Sequence, residues 1–140
     1  MRYVFQTSKI KHYRFPTHVN DLVIDRSESI TSEVFVVVLE PGEAPPSHKH
    51  DDTEQVFFVL EGHGTLTVGE GKEQFEVHPT DVVRIPPSTV HSIRCTGEKA
   101  LRYLSIDCFV RGRPKDEPTW DSHVRVMCSQ NGWSYEDLSR

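Results

Sequence analysis

GEAPPSHKHDDTEQVFFVLEGHG, from Gly42 to Gly64, is the stretch whose reading decides the fold. It holds a His-x-His pair, His48 and His50, then a polar run from Asp51 to Gln55, then an apolar run that stops at Gly62. Side chains alternate across an extended strand, so His48 and His50 project to one face with their rings close enough to share one ion. The polar residue that closes on the same point is Glu54 or Gln55. Parity favours Gln55, because Phe57 and Val59 then fall on the inner face beside it, and Glu54 is the fallback. A second stretch, TDVVRIPPSTVHSIRC from Thr80 to Cys95, carries His91 at the start of another strand. The expected donor set for one divalent ion is therefore His48, His50, Gln55 and His91.

The remaining pattern is one of short strands separated by turns. Leu22 to Ile24, Val34 to Leu39, Gln55 to Leu60, Thr65 to Val68, Gln74 to Val77, Val82 to Ile85, His91 to Cys95 and Ala100 to Val110 read as strands. Pro-Gly, Gly-Glu-Gly and Pro-Pro-Ser sequences punctuate them. Strands at a spacing of roughly ten residues, with no 3.6-residue period before the tail, imply an all-β sandwich or barrel. The Val34 to Leu39 and Gln55 to Leu60 runs are apolar on both faces, more than one interior can use, so a homodimer built on outer strand faces is expected. If Asp107 faces inward, Tyr103, Ser105 and Phe109 do so too.

The chain of 140 residues reads as a single domain, with a core from about 20 to 113, an N-terminal arm over 1–19 and a C-terminal extension over 114–140. In the extension His123 to Cys128 looks strand-like, and a short amphipathic turn or helix is expected around Trp133 to Leu138. Trp120, Trp133 and Tyr135 carry too much aromatic surface to remain in water; core packing, a lid over the barrel mouth or a dimer contact would bury them. With 16 basic and 21 acidic residues the net charge is -5, and no Lys/Arg stripe suits a phosphate backbone, so nucleic acid is not the expected partner. No run approaches the ~20 apolar residues of a membrane helix, and the first residues lack the pattern of a signal peptide. A cytoplasmic protein without a membrane partner is expected. Cys95, Cys108 and Cys128 form no paired framework or Cys-x-x-Cys motif and read as small apolar residues. His12, His18, His63, His78 and His123 read as surface or satisfied polar residues.

These residues resemble the cupins. The first cupin motif runs glycine, five residues, His-x-His, three or four residues, glutamate, six residues, glycine. Gly42, His48, His50, position 55 and Gly62 fit it without a gap, with Gln55 where the family usually has glutamate. The second motif reads here as Thr80, Pro86, Ser88, His91 and Cys95, keeping the proline and histidine but neither glycine nor the asparagine. The resemblance implies a double-stranded β-helix, the jelly-roll barrel, with a metal (Zn, Ni, Fe, Mn or Co) near one open end, and dimerisation is common in such proteins.

The strand end from Asp107 to Arg113 further resembles the Asp-x-Phe-x-x-x-Arg ending of small cupins that convert unsaturated uronates to linear keto acids. Carried across, Asp107 would move protons, Phe109 would wall the pocket beside Tyr103 and Phe57, and Arg113 or Arg111 would clamp a substrate carboxylate. Three functions then compete: a metal-dependent isomerase or lyase on a small polar substrate such as a sugar acid, a metal-dependent dioxygenase, and a non-catalytic ligand-binding or structural barrel.

Overall fold

A computed structural model describes residues 1–8 and 10–138. Nine strands among them form two sheets: β1 (Lys11–Arg14), β2 (Val19–Ile24), β3 (Ser32–Leu39), β4 (Thr53–Glu61), β5 (Gly64–Val68), β6 (Glu73–Val77), β7 (Val82–Ile85), β8 (His91–Cys95) and β9 (Leu101–Phe109). The larger sheet has the order β1-β2-β3-β9-β4-β7 and the smaller β6-β5-β8. Every registered pair is antiparallel. The expected all-β jelly roll is what the chain adopts, and period-2 alternation explains it. Along β9 every odd residue from Leu101 to Phe109 is buried and every even one is half-exposed. The interior that results is lined by Phe35, Val37, Leu39, Phe57, Val59, Leu66, Ile93, Leu101 and Tyr103.

The approach to the histidines is held to the smaller sheet. Gly42 N–H donates to the Cys95 carbonyl at 2.9 Å, Cys95 N–H to the Glu43 carbonyl at 3.0 Å, and Ser92 Oγ to the Pro45 carbonyl at 3.0 Å. His48 and His91 then exchange both backbone hydrogen bonds, at 3.2 and 3.0 Å. Two histidines distant in sequence thus become cross-strand neighbours.

Both motif positions that lack glycine keep the backbone shape a glycine would take. Thr80 has φ 75° and Ser88 φ 61°, in the left-handed region, at a cost of roughly 1–2 kcal/mol each for an L-residue. Ser88 recovers part of this through Oγ donating to Asp51 Oδ1 at 2.8 Å. Gly62, which the first motif does keep, has φ 86°, and a Cβ there would lie 2.4 Å from the Ala100 carbonyl oxygen. No side chain fits that approach of β4 to β9.

The N-terminal stretch, readable as a strand or an arm, finds its place, and one sequence expectation changes. The arm contains β1, which pairs with β2 and places Tyr13 and Phe15 in the core. The stretch from His123 to Cys128 is helix, not strand: α1 spans Trp120–Asn131. Thr119 Oγ1 accepts from Ser122 N–H while Ser122 Oγ accepts from Thr119 N–H, both at 3.0 Å, which satisfies two open donors of the first turn. Gly132, at φ 70°, ends the helix. Trp120, Val124 and Cys128 recur every fourth residue and form its buried stripe. Trp120 is 1% exposed, with its ring 4.9 Å from Phe35 and 6.0 Å from Tyr13. Trp133 follows it onto Phe15, and Tyr135 lies under Arg125. The extension is therefore fastened to the mouth of the barrel. Among the described residues no helix is long and apolar enough to cross a membrane.

Candidate metal centre and cavity

His48, His50 and His91 gather at one end of a cavity of about 580 Å³, with ring centroids 5.0 Å apart for His48 and His50 and 4.5 Å apart for His48 and His91. The ring orientations are set by the backbone. His48 Nδ1 lies 2.7 Å from the Pro46 carbonyl, and His91 Nδ1 lies 2.9 Å from the Thr89 carbonyl. A carbonyl can only accept, so both Nδ1 atoms carry the proton and both Nε2 atoms keep a lone pair. Burial keeps these rings neutral: it lowers the pKa of His48 and takes His50 and His91 down to about 4.

Gln55 stands on β4 facing inward, and Glu54 on the other face, where it meets Arg84 at 3.5 Å. The Gln55 Nε2 donates to Asp107 Oδ1 at 2.7 Å. Its Oε1 is buried without a partner, as is His91 Nε2. Two orphaned lone pairs in one cavity, with imidazoles beside them, suit a cation that accepts both. Among the described residues no group of three or more His, Cys, Asp or Glu side chains is gathered as a ready cage for an ion. The donor set on offer instead includes an amide oxygen.

Glu33, Asp107 and Gln55 stand in one register row across β3, β9 and β4. Arg26 closes the row, donating from Nε and Nη2 to the two Glu33 carboxyl oxygens at 2.7 and 3.0 Å, with its guanidinium over the Phe109 ring. All four polar side chains are buried. Burial takes Glu33 up to about 8 and raises Asp107 too, so the hydrogen-bonded pair keeps one proton at neutral pH and its remaining charge is balanced by Arg26.

The deeper walls are aromatic, with Phe35, Phe57, Tyr103 and Trp120, and Ser105, His18 and Asn20 add polar groups, while Asp51, Asp52 and Glu117 bring carboxylates to the lining. Burial lowers His18 to about 3, so it is neutral. The C-terminal helix supplies Met127 and His123, whose Nδ1 is 2.8 Å from Glu117 Oε1; that bond holds the Glu117 carboxyl below its ordinary range.

Phe57, Tyr103 and Asp107 thus line the cavity as the sequence suggests, but Phe109, Arg111 and Arg113 do not. Phe109 packs beneath Arg26. Arg113 Nη1 donates to the Arg26 and Ser27 carbonyls at 3.3 and 3.0 Å, and Arg111 is exposed. The chain turns at Gly112, φ 78°, between these two arginines. Lys49, at the rim, is the sole Lys or Arg among the lining residues. Sequence reading missed Arg26, Glu33, His18, Asn20 and His123. Alternation through His18, Asn20 and Leu22, running from just before β2 into it, is the signal that points the first two inward.

Against known proteins, the cupin domain profile matches residues 35–107, just over half of the chain. A 5-nitrosalicylic acid 1,2-dioxygenase from Bradyrhizobium sp is 33% identical over 104 residues, covering 69% of this chain and 49% of that protein. The aligned regions span less than half the length of the curated relatives matched. Among solved structures, a predicted oxalate decarboxylase from Thermotoga maritima superposes with TM-score 0.69 at 19% identity, over 76% of this chain and 99% of that one. KdgF from Halomonas sp. does so with TM-score 0.67 at 16% identity, over 83% and 98%. With both histidine stretches, the strand order and the matched profile in agreement, this chain belongs to the cupin family.

Proposed function

We propose that this cupin is a metal-dependent enzyme that acts on a small planar substrate bearing adjacent oxygen atoms, and that its reaction is oxygen-dependent, of the dioxygenase class. The observation that carries this reading is the wall of the cavity. Phe35, Phe57, Tyr103 and Trp120 offer flat apolar surface that suits a planar ring better than a polyhydroxylated sugar. The partial relative from Bradyrhizobium, named for action on a nitrosalicylic acid, points the same way.

His48, His50, His91 and Gln55 would hold one divalent ion; Glu54, on the outer face, would not. When bound, such an ion supplies an electrophile for the substrate's oxygens and, if redox-active, a route to dioxygen. The chain's own residues do the rest. Phe57 and Tyr103, ring centroids 5.0 Å apart, fix the plane of the ring. Trp120 and Met127 shut out bulk water, and the four ligands are neutral, so anionic substrate oxygens meet an uncompensated double charge. Asp107 gives the uronate ring-opening reading a foothold as the second candidate, since its carboxyl does line the cavity. The protein would work as a homodimer through the outer face of the larger sheet.

The test is metal analysis of tag-free protein, followed by oxygen-uptake measurements on a panel of hydroxylated benzoates. Loss of the 4,5-unsaturated uronate chromophore is followed in parallel. One ion per chain, oxygen consumed with an aromatic substrate, and uronate lost only at its spontaneous rate is the expected result. Accelerated uronate loss without oxygen uptake would overturn the dioxygenase reading in favour of ring opening.

A further inference from the structure

A side-chain amide is an ambidextrous ligand: its oxygen can bind a cation and its nitrogen cannot. Something must choose which end faces the histidines. Gln55 Nε2 donates to Asp107 Oδ1 at 2.7 Å, and Gln55 Oε1 is the buried atom left without a partner. Of the two ends of the amide only the nitrogen can donate to a carboxyl oxygen, and with the nitrogen on Asp107 the oxygen is the end left over for the cavity.

Asp107 is itself held. Its other neighbour in the register row is Glu33, 0% exposed and hydrogen-bonded to it, and Glu33 is gripped at both oxygens by Arg26. Arg26 Nη1 in turn donates to the Glu117 carbonyl at 3.0 Å. Arg26 and Glu33 are buried away from the cavity, and the hydrogen bonds of the row hold Asp107 and Gln55, which border it.

We propose that the Arg26–Glu33–Asp107 row is a positioning device that fixes the sense of the Gln55 amide so that its oxygen faces the three histidines. The same row accounts for glutamine at position 55. A glutamate there would set a third carboxylate at hydrogen-bond distance from Asp107, in a row with one guanidinium to balance it. Asp107 on this account is a positioning residue acting through Gln55, and its carboxylate is needed as an acceptor and not as a carrier of protons. The inference rests on the metal reading above.

The test compares Asp107→Asn, Asp107→Leu and the double variant Asp107→Leu/Gln55→Glu, with two readouts. The first is zinc affinity, by competition with a chromophoric chelator. The second is the Gln55 side-chain NH2 signal in 15N-labelled apoprotein. An asparagine side chain can accept from Gln55 through its oxygen and donate to Glu33 through its nitrogen, so Asp107→Asn keeps zinc affinity within about threefold and keeps the shifted, hydrogen-bonded amide proton. Asp107→Leu frees the amide, loses that proton shift and weakens zinc by about ten- to a hundredfold. Adding Gln55→Glu to it restores affinity, since the two carboxylate oxygens are equivalent and need no orienting.

Zinc affinity unchanged in Asp107→Leu, or lost alike in Asp107→Asn and Asp107→Leu, overturns the positioning role. If Asp107→Leu does not fold, Asp107→Asn decides by itself: a loss of more than tenfold in affinity, or of the shifted amide proton, refutes the inference. Wild-type protein that binds no zinc, nickel, iron, manganese or cobalt sinks the metal reading and this inference together. That failure is distinct, because the wild-type amide signal would still show Gln55 bonded to Asp107.

Discussion

Replacing Glu33 by glutamine isolates the electrostatics of the buried row. Glu33 is wholly buried, and its carboxyl loses its proton near pH 8 in the folded protein against about 4.5 in the open chain. Between those values the folded state binds the proton that the unfolded state has released. Stability contributed by this group is thus fully present below about pH 4.5, falls as pH rises, and levels off above about pH 8, at up to about 1.4 kcal/mol per pH unit. The slope counts bound protons whichever carboxyl of the pair holds them, so the change between pH 5 and pH 8 is up to about 3–4 kcal/mol. Glutamine stands in for the protonated form towards Asp107, its nitrogen donating there and its oxygen accepting from Arg26, with the loss of one of the two Arg26 hydrogen bonds at every pH. Urea unfolding of wild type and Glu33→Gln in chelator at four pH values measures it. The variant should gain on wild type by up to about 3–4 kcal/mol across that range, while the histidines titrate alike in both and cancel. Parallel stability curves would refute the shared-proton account.

Thr80 is a β-branched residue held at φ 75° where the motif carries glycine, so Thr80→Gly should raise stability by about 0.5–1 kcal/mol despite the entropy glycine adds to the open chain; a urea midpoint that moves down would contradict it. Leu104, Phe58 and Val82 sit side by side across β9, β4 and β7 on the outer face, Phe58 being 39% and Val82 66% exposed, while Val36 beside them on β3 is already covered within the chain. Sedimentation velocity should find a dimer at micromolar concentration that Phe58→Lys converts to monomer; a wild-type monomer would reject that interface.

How far the sequence alone reaches can be judged from particular elements. Eight of the nine strands were legible because each is a short apolar, β-branched or alternating run set off by turn or polar residues, and the inward face of Gln55 followed from the parity of Phe57 and Val59. The helix Trp120–Asn131 was misread although its signals are present: Trp120, Val124 and Cys128 at fourfold spacing, Thr119 before the first turn and Gly132 after the last. The valine and the cysteine in a six-residue window look β-like, and the period emerges only over twelve residues. With that helix missed, His123 could not be placed at the cavity.

The polar row was illegible for a different reason. Glu33, Asp107 and Gln55 are separated by up to 74 positions, and what aligns them is the non-sequential order β3-β9-β4 together with a register that pairs Glu33 with Asp107 and Asp107 with Gln55. A single-residue slip in either pairing would send the carboxyls to opposite faces, yet no local pattern around Glu33 states that register. Read along the chain, Asp107 is an acid at a strand end with two arginines following it, which suggests a proton carrier beside an anion clamp. Read across the sheet, its neighbours are an amide that needs an acceptor and a carboxyl held by Arg26, while both following arginines lie outside the cavity. The chemistry available to Asp107 is decided by those cross-strand neighbours, because a buried carboxyl flanked by an amide donor and a protonated partner is already fully engaged before any substrate arrives.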